Sequence, residues 1–229
     1  MLTYEQLLEE LFSHADEKFR AFHKSLLKND AIQTIGVRTP VLRAIAKREK
    51  DNFQDLLAFP DAYYEVTFIK CACACFLPYE ALCACLDELV SLLDNWATCD
   101  SFAPACIAKN RDTFLVFVDK YLADGRVFAR RFALTTMLHF YVDETYLPAV
   151  LERLARVDAK EYYVSMAAAW LAAEVAVRSF AEGVAFFQSG ALDRETHRRA
   201  IRKACESRRL SARQKALLRG LGRGCHSEG

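Results

Sequence analysis

Glycine and proline are scarce. The 229 residues contain eight Gly and five Pro, too few for the turns of an all-β chain. Net charge is nearly absent as well: 31 Lys plus Arg face 30 Asp plus Glu, a formal +1. No stretch approaches the roughly 20 uncharged apolar residues of a membrane span. The opening MLTYEQLLEELF is amphipathic and acidic, unlike a signal peptide. There is no CxxC pair, and no His stands at ligand spacing beside a Cys. What is there, 53% apolar residues, suffices for a buried core and excludes a disordered polar chain. A helical, cytoplasmic protein without metal or cofactor is the expectation.

Nine cysteines are present: Cys71, Cys73, Cys75, Cys83, Cys85, Cys99, Cys106, Cys205 and Cys225. Residues two apart on a helix point in nearly opposite directions, so Cys71 and Cys73 cannot share a metal. The crowded thiols read as small buried hydrophobes in a reducing compartment.

Helical periodicity runs almost throughout. Leu7, Leu8, Leu11 and Phe12 form one apolar face; Glu17 to Leu27 follows, with Phe19, Phe22, Leu26 and Leu27 inward. Thr39-Pro40 opens a third helix, Thr as cap and Pro at its first position. Further helices are expected over 53–57, 62–76, 80–93, 111–122, 127–141, 144–155, 160–178, 181–188, 193–207 and 211–221. Pairs recur at about 35–45 residues, the range of HEAT-type antiparallel pairs. The expected fold is all-α, an α-solenoid of HEAT-like pairs with a concave basic face. The alternative is a plain helical bundle. One domain is expected over 1–229, with about 222–229 a flexible tail.

The charge is unevenly placed. From Arg194 to Arg223 there are eleven basic residues, nine of them Arg, opposed only by Glu195 and Glu206, a net of +9. The remaining chain is −8. Arginine forks suit phosphate, and the one-sided sign favours a polyanion over a merely solvated face. Ala200, Ile201, Ala204 and Cys205 are expected inward, leaving Arg198, Arg199, Arg202, Lys203 and Arg209 outside. His197 is either a further phosphate contact or simply exposed.

Only two tryptophans occur, Trp96 and Trp170. If its segment is helical, Trp96 shares a face with Asp100, four residues on. Pro104 should bend that helix. A carboxylate beside an indole at such an irregularity suits chemistry; the alternative is a core Trp96 with Asp100 as an N-cap. Around Trp170, the run Ala167 to Ala169 allows close packing and leaves the indole prominent. Arg130 and Arg131 precede an apolar run, Phe132 to Leu138, where a charge has no core role.

GVRTPVLR (36–43), NWATCD (95–100), ARRFAL (129–134), EYYVSMAAAW (161–170) and RRAIRKACESRR (198–209) occur in this order. Together they resemble the AlkD-like HEAT-repeat DNA glycosylases of the DNA alkylation repair family, over about Glu5 to Leu221. The resemblance implies an α-solenoid whose concave face holds alkylated double-stranded DNA. It implies release of cationic alkylated purines, chiefly 3-methyladenine and 7-methylguanine, with no cofactor, by a monomer associated with the nucleoid. The family's catalytic cluster falls on Trp96, Asp100, Trp170 and Arg131, with Arg130 the neighbouring alternative. DNA contacts are expected from Arg38, Arg43, Arg130, Arg198, Arg199, Arg202, Lys203, Arg208 and Arg209. The cysteine-rich segment 71–85 has no counterpart in those motifs. Competing readings are a catalytically silent protein of the same fold binding bent or branched DNA, and a protein-interaction scaffold.

Overall fold

The apolar periodicity is realised as helices. The computed structural model describes residues 2–27, 29 and 31–224, and among them fourteen α-helices, two 3₁₀ segments and no strand occur. Two compact units are formed, one ending at Asn110 and the other starting at Arg111.

In the first unit α1 (Tyr4–Ser13) starts at a capping box in which Thr3 and Gln6 exchange hydrogen bonds of 3.0 and 3.2 Å. α2 (Glu17–Leu27) and α3 (Thr39–Arg48) follow. Arg38, not Thr39, is the cap of α3, and it caps without a side-chain bond. Thr39 and Pro40 occupy the first turn, where Pro's missing N–H costs nothing. The short α4 (Phe53–Leu57) leads to α5 (Tyr64–Ala74), the hub against which α3, α4, α6 (Tyr79–Ser91) and α7 (Trp96–Ser101) pack. Because α5 is covered on all sides, nearly all its residues are buried, including Glu65 and Lys70.

Those two buried charges are compensated. Glu65 accepts backbone N–H groups of Ile35, Gly36 and Val37 at 3.0, 2.8 and 3.3 Å. Lys70 pairs with Asp61 at 2.9 Å. Glu65 thereby fixes the loop that enters α3. Gly36 in that loop has φ +98°, and a Cβ there would lie 2.6 Å from Arg20 Cβ.

The thiols behave as small hydrophobes. Cys71, Cys73 and Cys99 are buried, and Cys75, Cys83, Cys85, Cys106 and Cys205 half-buried; none of these eight forms a disulfide. Burial pushes the Cys73 and Cys75 thiols up to about 12, which keeps them protonated and unreactive. Cys225 lies outside the described residues.

The second unit contains α8 (Arg111–Leu122), α9 (Val127–Phe140), α10 (Leu147–Arg156), α11 (Tyr162–Arg178), α12 (Phe180–Gln188), α13 (Arg194–Glu206) and α14 (Ala212–Gly224). α9, α11 and α13 pack in sequence, while α10 and α12 cover α11 and α12 touches α14. Alanines on α11 permit close approach: Gly183 of α12 meets Ala176 so tightly that an added Cβ would lie 2.3 Å from its Cα. α14 includes residues 222–224, expected as tail; 225–229 lie outside the described residues.

Three apolar assignments fail. Phe12, Phe22 and Leu26 are exposed, Phe22 to 59%, and α2 instead buries His23 and Leu27. Periodicity finds a face but not the neighbour that covers it.

Candidate functional site

In the first unit, Asn95 caps α7 by accepting the Thr98 N–H at 2.9 Å. The six-residue helix that follows holds Trp96 in its first turn and Asp100 in its last. The helix ends at Ser101, three residues before Pro104, so no bend arises within it. Asp100 is therefore not an N-cap. Both side chains are half-buried. The Trp96 indole N–H donates to the Leu26 carbonyl at 3.1 Å, which ties the ring to the end of α2.

Arg38 caps α3 and Arg43 lies in its second turn, both exposed. Arg38 pairs with Asp16 at 2.7 Å and lies 4.9 Å above the Phe19 ring, so part of its role is to hold α2 to the loop before α3. Arg43 is close enough to Tyr64 to oppose the burial that raises that phenol's pKa.

In the second unit, Arg131 and Trp170 line one cleft of about 480 Å³ with Tyr162, Met166, Arg199 and Arg202. Tyr162, Met166 and Trp170 are successive fourth residues of α11 and so form one stripe. Trp170 is half-buried, while Tyr162 and Met166 are exposed. Arg131 lies within α9, as the 127–141 expectation has it, but it is only 6% exposed, so a charge does enter the apolar run where none was expected. Its guanidinium donates to the Tyr163 carbonyl at 2.7 Å. Arg130 is turned elsewhere and donates to the Asp158 carbonyl at 3.0 Å.

The basic segment forms the opposite wall. Asp193 caps α13, accepting the Glu195 and Thr196 N–H groups at 3.0 Å. Ala200, Ile201 and Ala204 are buried as the pattern requires; Cys205 is half-buried. His197 is neither exposed nor a phosphate contact. It is buried, edge-on to Phe187 at 5.4 Å, and burial lowers its pKa. Local carboxylates temper the cations: Glu195 pairs with Arg198 and Arg199 at 3.3 and 3.2 Å, and Glu206 with Lys203 at 2.9 Å. Glu174 pairs with both Arg209 and Arg178 at 2.6 Å. Burial would raise the Glu174 pKa, but those two guanidiniums prevail and lower it. Arg202 and Arg208 make no ion pair among the described residues.

Sequence reasoning missed Tyr162 and Met166 as cleft residues. Their spacing of four from Trp170 was the available signal, but the same spacing describes a core stripe. No group of three His, Cys, Asp or Glu among the described residues is placed to hold a metal ion.

A family model described as DNA alkylation repair enzyme matches residues 7–207. The match runs from within α1 to the end of α13 and so includes Trp96, Asp100, Arg131 and Trp170. No curated protein matches the chain.

Proposed function

The chain belongs to the family of DNA alkylation repair enzymes, and from that premise we propose that it is a monofunctional N-glycosylase. It releases cationic alkylated purines, 3-methyladenine and 7-methylguanine, from duplex DNA. On this reading the helices stack as HEAT-like antiparallel pairs into one α-solenoid domain. Its concave face is basic, and it works as a cytoplasmic monomer on the nucleoid. The observation that supports the reading most is the Trp96–Asp100 pair. Both fall on one face of a short capped helix, with the indole half-exposed and fixed by a backbone carbonyl.

The chemistry asks little of the protein. An N3- or N7-alkylated purine carries a positive charge, so it leaves without being protonated. The N-glycosidic electron pair departs with the base and neutralises it, while positive charge develops on the deoxyribose. Asp100 stabilises that charge and takes the proton of the water that adds to the sugar carbon. One carboxylate suffices where ordinary glycosidases use two. Asp100 lies in the last turn of α7, where the carbonyl end of a helix adds negative potential and further favours a cation. Trp96 and Trp170 pack on the sugar, each contact with a cation contributing about 0.5–2 kcal/mol. Arg131 holds a phosphate beside the lesion without reading sequence. Arg38, Arg43, Arg130 and the α13 cations bind the flanking backbone.

The unit-two cleft carries its cations and Trp170 independently of Asp100, which supports a second reading: a silent DNA-binding protein of this fold. Base release from duplexes containing single lesions separates the two. The glycosylase reading expects release of 3-methyladenine and 7-methylguanine but not of the uncharged hypoxanthine. Binding without release of any base leaves the silent reading.

A further inference from the structure

Arg199 differs from the other cations of α13. Its guanidinium lies 5.1 Å over the Tyr162 ring and donates to Ser165 Oγ at 2.6 Å. Ser165 is fully buried and shares a 2.6 Å hydrogen bond with buried Thr196. The fork is thus held by a ring on one face and a buried hydroxyl pair at one edge. Its remaining partner in the cleft is Glu195, an exposed carboxylate one turn back, at 3.2 Å. Arg198, by contrast, is exposed and paired only with that same Glu195.

A guanidinium fixed by stacking and a hydroxyl, with a carboxylate at its open edge, has the chemistry of a phosphate receptor awaiting exchange. A carboxylate and a phosphate present the same pair of oxygens to the fork. An exposed ion pair of this kind contributes at most about 1 kcal/mol, so Glu195 gives way readily. Along α11 from Tyr162 lie Met166 and Trp170, and together with Tyr162, whose ring the fork already covers on one face, they offer flat or soft groups that take a ring. We propose that the unit-two cleft is a receptor for one nucleotide. Arg199 is its phosphate fork, Glu195 the placeholder that phosphate displaces, and the Tyr162–Met166–Trp170 stripe the wall for its ring or sugar. The proposal rests on the DNA-repair reading for the source of that nucleotide, a residue within a duplex. A free mononucleotide has the same chemistry.

The test uses the full-length protein and follows ligand binding to the wild type, Arg199→Lys and Glu195→Gln. The probes are an unmodified duplex, deoxyadenosine monophosphate and inorganic phosphate. Lysine keeps the charge but loses the fork and the ring contact. Arg199→Lys should weaken duplex binding about tenfold while leaving the salt dependence of binding unchanged. Glu195→Gln should tighten binding by about two- to fivefold. Deoxyadenosine monophosphate should bind more tightly than phosphate alone. If the duplex does not bind but the mononucleotide does, with the same response to both variants, the receptor stands and the DNA reading falls. If duplex and mononucleotide binding ignore both variants, or neither ligand binds the wild type, the receptor is overturned. Equal affinity for phosphate and mononucleotide removes the ring wall. Should Arg199→Lys prove unfolded by its melting curve, Glu195→Gln decides alone.

Discussion

Gly36 shows how far one residue constrains the first unit. Its φ of +98° and a virtual Cβ 2.7 Å from the Asp16 carbonyl exclude any side chain. Gly36→Ala should cost about 2 kcal/mol or more, read as a lowered Tm. Gly220 on α14 has open space instead, and Gly220→Ala should leave stability unchanged or raise it by about 0.5–1 kcal/mol. Glu65 holds the same loop as Gly36, and removing its carboxylate orphans three buried N–H groups. The buried histidines give a pH signature. Burial lowers the pKa of His23 and of His197 below the ordinary value, with Glu65 opposing this in part at His23. An unfolded His titrates near 6.5. The stability they contribute is complete above that pH and is lost as pH falls through it toward the folded values. Denaturant midpoints should therefore drop from pH 7 to pH 5, and drop less in His197→Phe. An identical pH profile for wild type and variant would contradict this.

The elements were legible wherever a long apolar stripe met a covering neighbour. The 111–122 helix is found at its expected bounds, and 127–141 and 181–188 differ by one residue at an end. Capping was less legible: Thr39, expected as a cap, lies inside α3, while Asp193, expected as the first residue of a helix, caps α13. Asp193→Ala should cost about 1 kcal/mol by leaving the Glu195 and Thr196 N–H groups without their acceptor. A six-residue helix has too few turns for a period, so α7 showed itself only through the Trp–Asp spacing. Phe12, Phe22 and Leu26 look like core residues in the sequence because nothing local says that no helix covers them. His197 was misplaced for the converse reason: it sits among arginines in sequence, yet the helix turns it inward against Phe187.

At the scale of the whole molecule, a near-neutral chain places its positive charge at one end. Sequence shows that asymmetry, but not the carboxylates that temper it; Glu174, far off in sequence, takes up Arg209. Arg202 lines the cleft and has no ion pair among the described residues, so its charge is available to phosphate. Arg202→Gln should reduce the salt slope of duplex binding by about 0.9. The central claim is that Asp100 carries out base release. Its most direct test is single-turnover release of 7-methylguanine from methylated duplex DNA, wild type against Asp100→Asn, with duplex affinity measured alongside. The account predicts release by the wild type and a loss of about a hundredfold or more in the variant, at similar affinity. Equal release by both proteins, or none by the wild type, would contradict it.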